Sequence, residues 1–184
     1  TVSEVVGHLG TSIGVHLHND TGCGVANAMA GVMAGATQVQ GTINGYGERV
    51  GNCDLVPIIA NLSLKLGVKT LPEECMEKLT SVAHHVAELV NFSSDPQQPY
   101  VGSGAFAHKA GLHVSAISRR PDAYEHIDPN LVGNGTRFLV SEMSGKSTIE
   151  LRAQQLGLEI GGETLNEVVE TLKDLEYRGY HLAA

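Results

Sequence analysis

Two histidines one residue apart, His16 and His18, are the first residues in this chain whose types and spacing could do chemistry. They lie in Ile13-Gly14-Val15-His16-Leu17-His18, where Ile, Val and Leu alternate with Gly and His. That period of two is the pattern of a β-strand. Both imidazoles then leave one face, roughly 6.6 Å apart at about 3.3 Å per residue. Such a pair can offer two nitrogens to one cation, or form a hydrogen-bonded structural pair. Spacing alone leaves both readings open. Asn19-Asp20-Thr21-Gly22 follows at once, a turn and cap signature that sets the pair at the carboxyl end of its strand.

A second cluster is the glycine-rich run Asn44-Gly45-Tyr46-Gly47-Glu48-Arg49-Val50-Gly51-Asn52. Its form is G-x-G-x-x-x-G, which is not the dinucleotide fingerprint. It reads equally as a tight turn in which glycines allow positive φ and as a ligand loop. Glu48 and Arg49 can be an ion pair that shapes the turn. A third set is His108, His113, Tyr124 and His126. Histidine suits proton transfer near neutral pH, but each of these can be structural. His84 and His85 fall on a helix, where packing or solvent explains them. Ser144-Gly145-Lys146-Ser147 resembles part of a phosphate loop, yet Val140 stands where that motif needs glycine. A helix start is the better reading.

These residues need elements to position them. After the strand at 13–18, Val25–Ala36 reads as a helix rich in Ala and Met, Gln38–Ile43 as a second strand, and Leu55–Leu66 as a helix capped by Asp54. Strand, helix, strand, helix implies parallel strands with crossover helices. Ligands bind outside the carboxyl ends of such strands, and both polar clusters fall there. Residues 72–90 carry apolar side chains at helical spacing behind Pro72, Glu73 and Glu74. The Pro-, Ser-, Gln- and Gly-rich stretch 91–104 reads as an extended loop or linker. Beyond it, Leu112–Arg119, Lys146–Leu156 and Thr164–Gly179 read as helices, with Phe138–Val140 extended.

The chain has 184 residues, a formal net charge of −8, three cysteines and no tryptophan. Net negative charge argues against a general nucleic-acid binder. No apolar run is long enough to span a bilayer. Cys23, Cys53 and Cys75 form no C-x-x-C and suggest neither a disulfide framework nor a zinc knuckle. Reduced thiols of a cytoplasmic protein are the simplest expectation.

His16-Leu17-His18-Asn19-Asp20, followed by Gly41-Thr42-Ile43-Asn44-Gly45-Tyr46-Gly47-Glu48-Arg49-Val50-Gly51-Asn52, resembles the acyl-CoA condensing branch of the metal-dependent lyase barrels. These are the 2-isopropylmalate, homocitrate and citramalate synthases, the last most of all. The resemblance reaches about residue 150. It implies an α/β fold: the last two strand–helix units of a TIM (β/α)8 barrel, then a mostly helical subdomain. The expected division is a barrel part at 1–90, a linker at 91–105 and a helical part at 106–184. An eight-stranded barrel needs eight units, so six would lie outside this chain, and catalysis by the chain alone is not expected.

The resemblance further implies a divalent cation, zinc, manganese or magnesium, on His16 and His18. Asn52 would be a weak or outer ligand, and the third protein ligand an aspartate on the first barrel strand, outside this chain. Gly47, Glu48 and Arg49 would lie beside acetyl-CoA. His113 would be the general base and Tyr124 its catalytic companion. The implied reaction is a Claisen condensation of acetyl-CoA with a 2-oxo acid, pyruvate favoured and 2-oxoisovalerate next, in isoleucine or leucine biosynthesis. Small molecules, a second subunit in a homodimer, and neither nucleic acid nor membrane are the expected partners. Two alternatives stand beside this. One is a retro-aldol lyase of the hydroxymethylglutaryl-CoA type, which carries cysteine where this chain has Ile43 or Asn44 and lacks the segment from His113 to Tyr124. The other is a non-catalytic metal-binding module.

Overall fold

The computed structural model describes residues 4, 7, 10–108, 116–117, 120, 124–138 and 146–180. The chain divides between Gly102 and Ser103 into two compact units.

In the first unit, strands β1 (Gly14–His16) and β2 (Gln38–Gln40) are parallel, with Val15 opposite Val39 and His16 opposite Gln40. Helix α1 (Gly24–Met33) crosses between them. Its start is held by Asn19, whose Oδ1 accepts from the Gly24 N–H at 3.0 Å, four residues upstream of the cap position at Cys23. Helix α2 (Leu55–Ala60) starts at Asp54, whose carboxylate accepts from the Val56 N–H at 2.9 Å. That cap is the one expected from sequence. The core beneath the strands joins Ala28, Cys53, Ile58 and Leu62 to Leu17, Val25, Met29, Val32, Val39 and Leu55. Val15 turns toward this side, while Gly14 and His16 stay exposed.

Several elements are shorter than their patterns suggest. The second strand stops at Gln40, and Ile43–Gly45 forms a 3₁₀ turn instead. Asn44 sits inside that turn at φ 61°, a left-handed conformation that no strand can absorb. The helix over 55–66 becomes a π-helical turn at Asn61–Lys65, closed by the Leu66 N–H on the Asn61 carbonyl at 3.1 Å. The helix over 72–90 divides into α3 (Glu73–Met76) and α4 (Leu79–Leu89). The Lys78 N–H bonds the Cys75 carbonyl, three residues back, at 3.1 Å, which tightens the chain there. Residues 91–102, linker-like in composition, pack into this unit: Gln98, Tyr100, Val101 and Gly102 are all buried.

The second unit holds a short parallel pair, β3 (Ala107–His108) with β4 (Arg137–Phe138). Asp128 caps a 3₁₀ turn at Pro129–Val132 by accepting from the Asn130 N–H at 3.0 Å. Helices α5 (Lys146–Gln155) and α6 (Gly162–Tyr177) follow. Of the helix expected at 112–119 only residues 116–117 are described, and both are helical; His113 and the extended residues 139–140 lie outside the described residues. All three cysteines are free. No helix among the described residues is long and apolar enough to cross a membrane.

Gly51 sits at φ +100°, and an added Cβ would collide with the Gly45 carbonyl. Gly51→Ala is expected to destabilise the first unit by about 2–5 kcal/mol, combining left-handed strain of about 1–2 kcal/mol with overpacking of about 1–3 kcal/mol. The urea midpoint measures this. An unchanged midpoint would contradict the described loop.

Candidate metal centre

His16 ends β1 and His18 stands two residues beyond it, and their side chains are neighbours, as period two predicts. Their rings lie 5.3 Å apart between centroids, edge to face at 73°. His16 is in the strand proper, but His18 is already paired elsewhere, in an antiparallel bridge with Asn52. The Asn19 N–H bonds the Gly51 carbonyl at 3.0 Å and the Cys53 N–H bonds the Leu17 carbonyl at 2.9 Å. These bonds flank His18 and Asn52, which makes the two a non-hydrogen-bonded cross-strand pair, the closer of the two pair types. Two residues far apart in sequence are thus held side by side.

The glycine-rich loop is closed on itself. Thr42 Oγ1 donates to the Tyr46 carbonyl at 2.6 Å, and the Asn52 N–H bonds the Gly45 carbonyl at 2.9 Å. A Cβ at Gly47 would collide with the Asn52 carboxamide, so that glycine makes the room in which Asn52 lies. Asn52 Nδ2 donates to the Tyr46 carbonyl at 3.2 Å. Its Oδ1 is buried and has no hydrogen-bond partner, as is His18 Nδ1. A buried acceptor without a partner carries a desolvation cost of about 1–3 kcal/mol.

Imidazole nitrogens and a carboxamide oxygen are donors a divalent cation accepts, and two of them are orphaned on facing residues. The residues present therefore fit such an ion. Among the described residues no group of three His, Cys, Asp or Glu could hold one unaided.

Arg49 meets two carboxylates, the nearby Glu48 expected from sequence and, more closely, Asp20. Its guanidinium forms a two-point bond to Asp20, 2.7 Å from Nε and 2.9 Å from Nη2, while Glu48 is 3.8 Å away. The pair ties the turn after β1 to the glycine-rich loop. The hydrogen bond from Arg49 holds the Asp20 carboxyl below the usual carboxylate range. Stability drawn from a lowered acid is full above the unfolded value of about 3.9 and is lost as pH falls through the folded one. In an NMR titration of the Asp20 carboxyl carbon, Arg49→Ala should move the midpoint up; an unmoved midpoint would dissolve the pairing.

Sequence reasoning missed a buried polar group behind the loop. Gln98 Nε2 donates to Asn44 Oδ1 at 3.0 Å and to Asp54 Oδ2 at 2.9 Å. Burial pushes the Asp54 carboxyl up, against the bonds from Gln98 and Val56 that pull it down. The signal was Gln98 itself, a polar residue in a stretch whose polarity suggested solvent.

In the second unit, Tyr124 is 48% exposed, enough to reach another molecule. His108 Nε2 lies 3.6 Å from Glu125 Oε1, and that oxygen accepts from Thr136 Oγ1 at 2.5 Å. His126 stacks on Phe106 with centroids 5.7 Å apart. His84 Nε2 meets the Val101 carbonyl at 3.0 Å. These histidines have structural employment.

Residues 1–89 match the HMGL-like family, and residues 100–179 match the family described as homocitrate synthase post-HMGL domain-like. The (R)-citramalate synthase of Streptomyces coelicolor is 52% identical over 181 residues, 97% of this chain and 34% of the relative. That of Sulfolobus acidocaldarius is 47% identical over 180 residues, 96% of this chain and 34% of the relative. The homocitrate synthase of Pyrococcus horikoshii is 39% identical over 158 residues, 86% of this chain and 43% of the relative. The chain spans about a third of the length of the two citramalate synthases.

Proposed function

This chain belongs to the family of the citramalate, 2-isopropylmalate and homocitrate synthases, and from that premise we propose that it is the later part of an acyltransferase joining acetyl-CoA to a 2-oxo acid, with pyruvate the favoured acceptor. In this reading residues 1–90 are the last two strand–helix units of a TIM barrel, and the residues beyond about 105 form a mostly helical subdomain. The observation that carries it is the pair His18 and Asn52, a buried ring nitrogen and a buried carboxamide oxygen without partners, on residues held across one antiparallel bridge.

His16 and His18 would hold the divalent cation, with Asn52 as the weaker oxygen donor. Such an ion, when bound, polarises the ketone of the 2-oxo acid. The remaining steps fall to side chains. His113 takes a proton from the acetyl methyl of acetyl-CoA; the carbanion attacks the ketone carbon, and water then releases CoA. Tyr124 hydrogen-bonds the base or the substrate and holds their geometry. Gly47 and Glu48 border acetyl-CoA. Arg49 does so through its backbone, because its guanidinium is committed to Asp20. In a homodimer the subdomain of one subunit would complete the site of the other. The match over 100–179 supports a synthase over a lyase, since the lyase type lacks the segment from His113 to Tyr124.

The test is a chimera in which this segment replaces its counterpart in the Streptomyces citramalate synthase. CoA thiol release with acetyl-CoA should persist with pyruvate and exceed that with 2-oxoisovalerate. A folded chimera that releases no CoA beside an active parent would overturn the proposal. The 184-residue chain alone should release none.

A further inference from the structure

The segment Asp95–Gly102 lies beyond both strand–helix units, yet it reaches the glycine-rich loop through one side chain. Gln98 is buried at 9% exposure. A carboxamide nitrogen carries two hydrogens, and both are used, on Asn44 Oδ1 at 3.0 Å and Asp54 Oδ2 at 2.9 Å. Those two acceptors bracket the loop that contains Asn52. Asn44 holds φ 61°, a left-handed conformation uncommon for a non-glycine residue. Its carboxamide is pinned from two sides, by Gln98 and by its own Nδ2 donating to the Ala83 carbonyl at 2.8 Å. Asn44 thereby fixes the turn that presents the Tyr46 carbonyl, and that carbonyl accepts from Asn52 Nδ2. With Nδ2 engaged, Oδ1 is the atom Asn52 has left to give.

We infer that Gln98 is a positioning residue for the cation site: it fixes Asn44 and Asp54 and so holds Asn52 opposite His18 with its oxygen available. The inference rests on the proposed reading of His18 and Asn52 as ligands. The rest of the segment is anchored away from the loop. Tyr100 Oη donates to Asn61 Oδ1 at 2.8 Å, and the Gly102 N–H bonds the Gln98 carbonyl at 2.9 Å. Those contacts fold the segment; only Gln98 bonds to both ends of the loop.

The experiment uses the full chain and two readouts, amide hydrogen exchange at Asn52 without metal, and Co²⁺ titration followed by visible absorption. Gln98→Leu should speed Asn52 exchange by at least ~10-fold, raise the Co²⁺ Kd by about 10–100-fold and shift the absorption band. Tyr100→Phe, which cuts the same segment's bond to Asn61, should move none of these. Unchanged Asn52 exchange in Gln98→Leu overturns the inference, as does an equal effect of Tyr100→Phe, which would make the segment merely structural. Should Gln98→Leu not fold, Gln98→Glu keeps the length and, when ionised, has no hydrogen to donate. A wild-type chain that binds Co²⁺ no better than His18→Ala defeats the ligand reading instead, and Asn52 exchange still decides whether Gln98 holds the loop.

Discussion

Replacing His16 and His18 together with alanine is expected to raise the Kd for a divalent cation by more than about 100-fold. Changes outside the ligand shell alone cost about 10–100-fold, and here two donors would be lost outright. His18→Ala alone should carry much of the effect, because it removes a buried, unpartnered ring nitrogen while the backbone bridge to Asn52 stays in place. Titration calorimetry with zinc or manganese reads the change. His84→Ala is the control, since its Nε2 is already bonded to the Val101 carbonyl. Undiminished binding by the double variant would remove the ligand assignment.

The second large effect concerns proton transfer. In the chimera with the Streptomyces enzyme, His113→Ala should lower kcat by about 10²–10⁴-fold, the range for loss of a general base. The KM for the 2-oxo acid should hold, because binding of that acid does not use the base. His108→Ala and His126→Ala should act first on stability, given the contact of His108 with Glu125 and the stacking of His126 on Phe106. A larger fall in kcat from His126→Ala than from His113→Ala would reassign the base.

Local periodicity made part of this legible in advance. Alternation told that His16 and His18 share a face, and Asp54 announced the start of α2. The pairing of His18 with Asn52 was not legible, because it rests on backbone bonds between residues 17–19 and 51–53 that no local pattern encodes. The breaks in the two long helices escaped for a related reason. Their apolar spacing runs on unbroken, while the π-turn at Asn61–Lys65 and the tight turn at Lys78 are differences in hydrogen-bond span. Gln98 was hidden by the opposite error. A polar residue among Pro, Ser and Gly suggests water around it, yet its hydrogens go to Asn44 and Asp54 inside the fold.

The burial of Gln98 and of residues 100–102 also decides where this polypeptide can be cut. The HMGL-like match ends at residue 89 and α4 ends at Leu89, so an expression boundary drawn from either would fall there. A product ending at that point would leave Asn44 Oδ1, Asp54 Oδ2 and Asn61 Oδ1 without the donors Gln98 and Tyr100 supply. Each lost hydrogen bond is worth about 0.5–1.5 kcal/mol, together a sizeable fraction of the 5–15 kcal/mol by which an ordinary domain is stable. Limited proteolysis should accordingly spare the bonds from Gln98 to Gly102. The shortest well-behaved amino-terminal product should end at or after Gly102, some dozen residues beyond the family boundary.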